Sequence, residues 1–409
     1  MSTRGVVISP PFFRYWRATA VSGLGTYVTV FALQALVVLT LDGTASDVGL
    51  LNAARWLPYL TFGLVVGALV DGRRRLPLMV RTDLVQAFLL LLVPLLWWLD
   101  VLSLPVLLAV VFAYGAAAVV NMAATMSFLP RLVDRNQLQS AHARVDGADA
   151  VASTSGPALG GLLVSAVGAP VTVVLDSLTY LFSALTLRRI TLDEPPPRTG
   201  VTARQLLGEI REGVRWAYGR SGLRTLAIAT HGWFVGNAVV GVVVAPYAFI
   251  VLDLGAAQLG LVGAAGGVGA LVGATVTTAV GRRLGTGRTI IACHLLTTVG
   301  VAVMALAAES SYAAWVLGLG QAGYGMAMGM SNSHEMSYRQ LVTPDELQAR
   351  TNTTLRSLNR AVVVVVAPVA GFLADAVGMQ TMLVVAAATF AVVATGLAAT
   401  SFRAVRAPV

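Results

Sequence analysis

The stretch RLVDRNQLQSA at residues 131–141 returns as RQLVTPDELQA at residues 339–349. Its Leu-Gln pair lies at Leu138 in the first copy and at Leu347 in the second, an offset of 209 residues. Further pairs match at an offset of 209 or 210: Gly72-Arg73-Arg74 with Gly281-Arg282-Arg283, Gly161 with Gly371, and Val167-Gly168 with Val377-Gly378. Separate matches at one spacing indicate that the chain is an internal duplication.

The chain is 56% hydrophobic and only 11% charged. A membrane span needs about 20 apolar residues. Twelve windows meet this need: 18–41, 48–70, 78–99, 104–126, 149–168, 169–187, 223–252, 256–280, 289–308, 312–332, 359–377 and 379–402. Most of them lack the polar alternation that surface helices of a soluble protein show. We expect an all-α membrane protein with twelve transmembrane helices in two parallel-repeat six-helix bundles.

The duplication divides the chain into an N-terminal six-helix bundle at 1–190, a linker at 191–222 and a C-terminal six-helix bundle at 223–409. In the linker, Pro195, Pro196 and Pro197 exclude a helix. After them, Thr202 is a plausible N-cap, and apolar residues follow at helical spacing. We predict a cytoplasmic amphipathic helix, which either lies against the membrane or serves as a plain linker helix.

Charge is placed asymmetrically along the chain. The formal net charge is +9, and the basic residues are all arginine. If twelve spans alternate, 26 of the 28 arginines fall on one side or at its edge, and the opposite loops carry acids such as Asp42, Asp47 and Asp100. This is the pattern of the positive-inside rule. It predicts a multi-pass protein of the cell (cytoplasmic) membrane with both termini in the cytoplasm and basic loops on lipid headgroups, and it argues against nucleic acid as a partner.

Two six-span halves joined by a cytoplasmic linker resemble the major facilitator superfamily of secondary transporters. The string GALVDGRRRLPL from Gly67 resembles that superfamily's loop between spans 2 and 3. The string LPRLVDRNQLQSAHARVDGADAVASTSGPALGG from Leu129 resembles the stretch entering span 5 in the bacterial drug and siderophore exporter branch, which includes enterobactin and macrolide exporters. LDSLTYLFSAL from Leu175 is similar to span 6 of that branch.

The resemblance implies a gate in the loop after span 2. Its motif corresponds here to Gly67, Asp71, Arg73 and Arg74. In this interpretation Asp71 holds the two halves together while the cytoplasmic side is closed. The second copy carries Val280 at the matching position, so the latch would exist in one half only. The alternative is a solvated turn whose arginines only obey the positive-inside rule.

The resemblance also implies an antiporter motif in span 5, formed by Gly147, Gly156, Pro157, Gly160 and Gly161. A proline kinks a helix, and a row of glycines gives it a flat side that another helix can approach closely. We expect this partner to be span 8 of the opposite half. The alternative is ordinary small-residue packing, and the motif favours an exporter.

Ionisable residues inside spans are functional candidates, because a charge at mid-membrane costs at least about 2.5–3.5 kcal/mol. The candidates for proton coupling are Asp176, Asp149 and Asp83. Asp176 could instead be a buried acid bonded to Ser177 or Thr179, and Asp83 could lie near the interface or join the network of Asp71. Arg55 is a candidate for an outer-gate ion pair with Asp42 or Asp47.

Spans 1, 4, 7 and 10 line the central cavity in this superfamily. The residues that these spans offer here are Tyr27, Phe31, Gln34, Tyr114, Asn121, His231, Trp233, Asn237, Gln321, Tyr324 and Met328. Aromatic, amide and thioether groups suit bulky amphiphilic molecules. Each residue taken alone could equally be packing, and a hydrogen-bonded structural role is the alternative for His231.

No motif in the sequence suggests an enzyme. There is no Gly-Lys-Ser/Thr phosphate loop and no metal-ligand spacing, so we expect no cofactor and no metal. The glycine-rich string GVGALVGA from Gly267 lies within a span, where it serves close helix packing.

We therefore predict a secondary active transporter. It would export a small amphiphilic molecule such as a drug, antibiotic or siderophore by proton antiport and alternating access. We expect a monomer whose partners are the substrate, protons and membrane lipid. The alternatives are an importer or uniporter with the same fold, a lipid flippase, and a membrane sensor or scaffold. A sensor or scaffold would need a large extramembrane domain, and the longest loop, residues 188–222, has only 35 residues.

Overall fold

The computed structural model describes residues 9–71, 73–134, 137–192, 203–219 and 221–406. In this part of the chain there are helices and no strands. The helices are α1 (Pro10–Ala35), α2 (Ala45–Asp71), α3 (Arg75–Trp98), α4 (Leu104–Leu132), α5 (Leu138–Val167), α6 (Ala169–Leu187), α7 (Ala203–Gly219), α8 (Ser221–Pro246), α9 (Ala256–Leu284), α10 (Thr286–Ala305), α11 (Ala313–Val342), α12 (Asp345–Val377) and α13 (Met379–Ala399).

Twelve of these helices coincide with the twelve predicted windows, and α7 falls in the linker. Within the described residues, ten helices are long and apolar enough to cross a membrane. The other two, α2 and α11, have 27 and 30 residues. The prediction of an all-α membrane protein is confirmed. Helices α5, α11 and α12 extend well past their apolar windows on the arginine-rich side. The additional turns there are polar.

Three tight junctions between helices depend on glycine. Gly168, Gly285 and Gly378 have φ angles of +81°, +80° and +95° and separate α5 from α6, α9 from α10 and α12 from α13. A residue with a Cβ is strained at such angles, so glycine ends the helix here and lets the next one begin at once. Gly168 and Gly378 are one of the matched pairs of the duplication.

The duplication also appears in the backbone. α1 ends in a π-helical turn at Leu36–Thr40, and α8 ends in another at Tyr247–Val251. After each turn comes an aspartate at positive φ, Asp42 at 51° and Asp253 at 49°. In both copies an amide after this aspartate donates to a carbonyl oxygen in the π-helical region, with an N···O distance of 2.8 Å. Such repeated local geometry is expected of two halves with a common origin.

The helices group into two compact units. One unit contains residues 1–36 and 57–201, and the other contains residues 37–56 and 202–409. These units follow the predicted halves except for segment Val37–Trp56, which packs with the C-terminal half. In the first unit, α1 packs against α5 and α6, and α3 packs against α4 and α6. In the second, α8 packs against α12 and α13, and α10 packs against α11 and α13.

The amphipathic helix α7 is attached to the second unit. The guanidinium of Arg350 on α12 lies 2.5 Å from the carboxylate of Glu212 and 3.5 Å from that of Glu209. Beneath this pair, Gly213 faces the backbone of Arg350 and the hydroxyl of Thr354. Polar and close backbone contacts therefore hold α7 against α12.

Helices α9 and α11 interlock through glycines. A methyl group built on Gly269 or Gly273 of α9 would lie less than 3.0 Å from a backbone carbonyl oxygen of α11. The reverse holds for Gly325 and Gly329 of α11 against carbonyl oxygens of α9. The two backbones are in direct contact, so the prediction that the string GVGALVGA serves close packing is confirmed.

This interlock predicts the effect of adding one methyl group. Gly325→Ala should destabilise the protein by about 1–3 kcal/mol, because its Cβ would meet backbone rather than a movable side-chain end. The measurement is the thermal unfolding midpoint of purified protein in detergent. Gly318→Ala on the same helix is the control, since its nearest neighbour would be 4.0 Å away. Equal midpoints for the two variants would contradict the interlock.

Candidate functional site

The glycine face of α5 packs against α1 within the first unit. A Cβ on Gly156 would lie less than 3.0 Å from the Cβ of Tyr27, and one on Gly160 would lie 3.2 Å from the Cβ of Phe31. The flat side predicted for the antiporter motif therefore receives two aromatic residues of α1, where we had expected a helix of the opposite half. Pro157 lies inside α5, which continues to Val167.

The remaining glycines of the motif differ from these two. Gly161 is buried, and a Cβ on Gly147 would meet nothing within 4 Å. The close approach to α1 is made by Gly156 and Gly160, which lie one helical turn apart.

Tyr27 also reaches an acid of α5. Its hydroxyl donates to the carboxylate of Asp149, with 3.3 Å to each carboxylate oxygen. Asp149 is exposed and lies two helical turns before Gly156. The glycine lets the α1 backbone come close, and the tyrosine ring then extends along α5 to the acid. A predicted cavity residue, a coupling candidate and the glycine motif are thereby brought together.

Asp83 lies in a buried polar cluster that joins three helices. It is 3% exposed on α3, and its two carboxylate oxygens accept hydrogen bonds of 2.6 Å from Asn121 of α4 and from Ser183 of α6. The Asn121 amide also lies 2.8 Å from the Thr82 hydroxyl. Asn121 is therefore a partner of the acid, although the sequence pattern placed it in the cavity. Neighbouring Arg81 is exposed.

Asp176 on α6 is fully buried, and its Oδ1 accepts a hydrogen bond of 2.8 Å from the hydroxyl of Thr179. This is one of the two hydroxyl partners that the sequence suggested. The other, Ser177, donates instead to the backbone oxygen of Ala87. One turn further along α6, the hydroxyl of Tyr180 lies 2.9 Å from the hydroxyls of both Thr26 and Tyr114. Tyr114, another predicted cavity residue, is thus part of a buried hydroxyl chain.

The second unit contains a cluster of aromatic rings and one amide, which includes the predicted cavity residues Trp233, Tyr324 and Asn237. Trp233 stacks on Tyr324 with ring centroids 6.3 Å apart and an angle of 16° between the rings. The Tyr324 hydroxyl donates to the side-chain oxygen of Asn237 at 2.5 Å. Phe390 of α13 lies against both rings. The result is an apolar aromatic wall with a polar end.

Three further residues of the predicted cavity set are not joined to this cluster. Gln321 lies against Gly266, Met328 is 44% exposed, and Gln34 is half-buried near the end of α1.

His231 links the linker helix to the second unit. Its Nε2 lies 2.5 Å from the hydroxyl of Tyr218 on α7, and its Nδ1 lies 2.6 Å from the side-chain oxygen of Asn359 on α12. The side-chain oxygen of Asn359 can only accept, so Nδ1 carries the hydrogen and Nε2 of the neutral ring accepts from the Tyr218 hydroxyl. Both ring nitrogens are therefore engaged, as expected of a histidine in a structural role.

Sequence reasoning missed Glu335 on α11. Its carboxylate accepts hydrogen bonds of 2.7 Å from Ser331 and 3.3 Å from Thr230, and its backbone oxygen lies 3.4 Å from the Nε of Arg339. Thr230 and Arg339 also line a narrow crevice, together with Leu226, Ala227, Leu355 and Asn359. The predicted span ended at residue 332, so the adjacent polar pair His334-Glu335 was the available signal.

The gate candidates are only partly described. Arg73 and Arg74 are exposed, whereas the side chains of Gly67 and Asp71 lie outside the described residues. Arg55 lies over the ring of Trp56 with its guanidinium carbon 5.2 Å from the ring centroid.

The acids proposed as partners of Arg55 have other surroundings. Asp47 accepts a hydrogen bond of 2.9 Å from the amide of Thr44, and Asp42 lies in the turn before α2. Among the described residues, no ion pair joins Arg55 to either acid.

A family model described as the Major Facilitator Superfamily matches residues 16–362. The chain belongs to the Major Facilitator Superfamily. The predicted family and its multi-pass helical membrane fold are thereby confirmed.

Curated relatives match part of the chain. The multidrug efflux pump Tap of Mycobacterium tuberculosis (strain ATCC 25618 / H37Rv) is 30% identical over 229 residues, which are 53% of this chain and 53% of that protein. The pump of the same name from Mycolicibacterium fortuitum is 30% identical over 220 residues, 52% of this chain and 53% of that protein. The chain thus spans about half the length of the curated relatives it matches.

Solved structures share the fold over nearly the whole chain. A bacterial homologue of the iron transporter ferroportin, in an inward-facing state, has a TM-score of 0.76 at 14% identity and covers 95% of this chain and 98% of that chain. The nucleoside transporter NupG has a TM-score of 0.74 at 12% identity, with 95% and 98% covered. At these identities the similarity shows the fold alone.

The contact between Gly156 and Tyr27 leads to a second prediction. Gly156→Ala should lower the thermal unfolding midpoint in detergent, because the new methyl group meets the Cβ of Tyr27, which cannot rotate away. Gly147→Ala in the same helix is the matched control and should leave the midpoint unchanged, since open space surrounds it. If both variants unfold at the wild-type temperature, the helices are not packed as described.

Proposed function

We propose that this chain is a proton-coupled exporter that moves small amphiphilic molecules out of the cell by alternating access. Family membership supports transport, and the partial match to proteins named multidrug efflux pumps supports export. The observation that carries the proposal is the position of Tyr27, which packs on Gly156 of the antiporter motif and donates to Asp149.

Asp149 has the surroundings that a proton carrier needs. Its side chain is not enclosed by protein, whereas Asp83 and Asp176 are buried within the first unit. An ionised carboxylate accepts the Tyr27 hydroxyl with either oxygen, and protonation replaces one acceptor by a donor. Proton binding would therefore alter the contact between α1 and α5. We keep Asp83 and Asp176 as secondary candidates for coupling.

The side chains of the predicted cavity set support an amphiphilic substrate. In the second unit, Trp233 is half-buried and stacks on the buried ring of Tyr324, and Asn237 provides an amide. In the first unit, Tyr27 and Phe31 provide aromatic surface on α1. Binding sites for drug-sized molecules are built in this way, from apolar and aromatic walls with few polar groups.

We further propose that the protein lies in the cell membrane as a monomer with both termini in the cytoplasm, because the arginines concentrate on that side. The motif of Gly67, Asp71, Arg73 and Arg74 is proposed to close the cytoplasmic side during the cycle.

The coupling role of Asp149 predicts a selective loss. In liposomes with an imposed pH gradient, Asp149→Asn should reduce gradient-driven efflux to the level of protein-free liposomes, because the asparagine amide does not bind or release a proton near neutral pH. The substrates to screen are dyes, macrolides and siderophores. Asp146→Asn is the matched control, since this exposed acid lies one turn earlier on α5 and should leave efflux intact.

Two results would contradict the proposal. Full pH-driven efflux by Asp149→Asn would exclude this acid, and the same assay on Asp176→Asn and Asp83→Asn would then show which carboxylate is required. Accumulation of substrate in right-side-out vesicles, in place of extrusion, would show that the protein is an importer.

A further inference from the structure

The start of α2 is capped by an acid from a distant part of the chain. Within the second unit, the carboxylate of Asp375 accepts hydrogen bonds from the amides of Ala45 and Ser46, at 3.1 and 3.0 Å, and from the hydroxyl of Thr44 at 2.8 Å. The first amides of a helix have no partner within the helix, and the helix dipole favours a negative charge there. Asp375 supplies both an acceptor and a charge.

Below this cap, α2 and α12 are in backbone contact. A Cβ on Gly371 of α12 would lie less than 3.0 Å from the carbonyl oxygen of Ala45, and Gly49 of α2 faces the carbonyl oxygen of Ala367 equally closely. Residues 367, 371 and 375 are spaced by four, so they share one face of α12. This face is therefore shaped to receive the first turns of α2.

The contact strip ends at Trp56. The guanidinium carbon of Arg360 on α12 lies 4.0 Å from the centroid of the Trp56 ring, and Arg55 lies over the same ring at 5.2 Å. A cation over an indole face is an attractive contact, most of all where water is scarce. Segment Val37–Trp56 is thus attached to α12 in three places: at the cap formed by Asp375, along the backbone contact at Gly49, and at the ring of Trp56.

The two ends of this segment are places where helices bend. On one side lies the π-helical turn Leu36–Thr40, and on the other lies Pro58 inside α2. A π-helical turn and a proline both interrupt the regular hydrogen bonds of a helix. The boundaries between the two compact units fall at the same places, after Leu36 and after Trp56.

We propose that Asp375 is a gate latch: it holds segment Val37–Trp56 on α12 while the side of the membrane opposite the termini is closed, and it releases the first turn of α2 when that side opens. Asp375 is then a positioning residue that acts through α2. This inference rests on the alternating access proposed above, but its test needs no substrate.

The matching position in the other copy of the duplication carries no acid. The position that matches Asp375 in the first copy is Ser165, at the offset of 210 that also aligns Gly161 with Gly371. Asp71, the acid of the predicted gate motif, has Val280 as its counterpart. Each acid therefore occurs in one copy only. Asp71 is the last residue of α2, and Asp375 caps the first turn of the same helix.

Cysteine labelling tests the latch. Val48 is fully buried within the segment, so Val48→Cys in a Cys293→Ala background should react slowly with a membrane-impermeant maleimide applied to the side opposite the termini. Asp375→Asn and Asp375→Ser should each raise this labelling rate about tenfold, because they remove charge-assisted hydrogen bonds to the helix start. Asp375→Glu keeps the carboxylate and should label more slowly than either.

The matched control is Asp100→Asn, which removes a charge from another turn on the same side. Asp100 has a φ of 55°, which asparagine tolerates, so the turn should be retained. An equal rise in labelling for Asp100→Asn, or unchanged labelling in both Asp375→Asn and Asp375→Ser, would overturn the latch.

Gel filtration in detergent verifies that each variant is folded. Serine was chosen as a replacement because the first copy has Ser165 at the matching position. If wild-type protein transports nothing while labelling still rises in the Asp375 variants, the proposed function fails and the latch stands.

Discussion

Direct contact between helix backbones is the constraint on which this structure depends. In lipid, helices gain little from burying apolar side chains against one another, so close packing and satisfied polar groups provide the specificity. Glycines supply the close packing in both units: Gly156 and Gly160 place α5 on α1, and Gly325 and Gly329 place α11 on α9. Each of these contacts also positions polar or aromatic residues that a transporter could use.

The polar groups follow the same constraint in different ways. Asp83 accepts hydrogen bonds from an amide of α4 and a hydroxyl of α6, and Asp176 accepts one from a hydroxyl of its own helix, which lowers the cost of placing an acid in the membrane. Asp149 keeps an exposed carboxylate with a tyrosine as its partner. Burial thus separates Asp83 and Asp176 from Asp149, the acid for which we propose proton exchange.

The two halves share features of backbone geometry but differ in the positions of their acidic residues. Both copies contain the π-helical turn, the aspartate at positive φ and the glycine at the junction of their last two helices. Asp71, Asp149 and Asp375 have no acid at the matching positions of the other copy. In the proposed transport cycle, this inequality of acids would give the two sides of the membrane different gates.

Length, hydropathy and repeat spacing determined the fold class from the sequence, because a chain in lipid must satisfy its backbone within helices. Local strings likewise placed the glycine motif and most of the cavity candidates on the correct helices. The partners of these residues could not be predicted in the same way. Tyr27 and Asp149 are separated by 122 residues, and Thr44 and Asp375 by 331.

Helix borders were a second source of error. The apolar window ended before residue 333, so Glu335 was placed outside α11, although a helix continues past its apolar window wherever its backbone bonds stay satisfied. The sequence by itself determined that this is a duplicated helical membrane protein with scarce acids. Only the tertiary structure decided which acid is enclosed, which is exposed and which caps a helix, because those outcomes depend on distant backbones that meet at glycines.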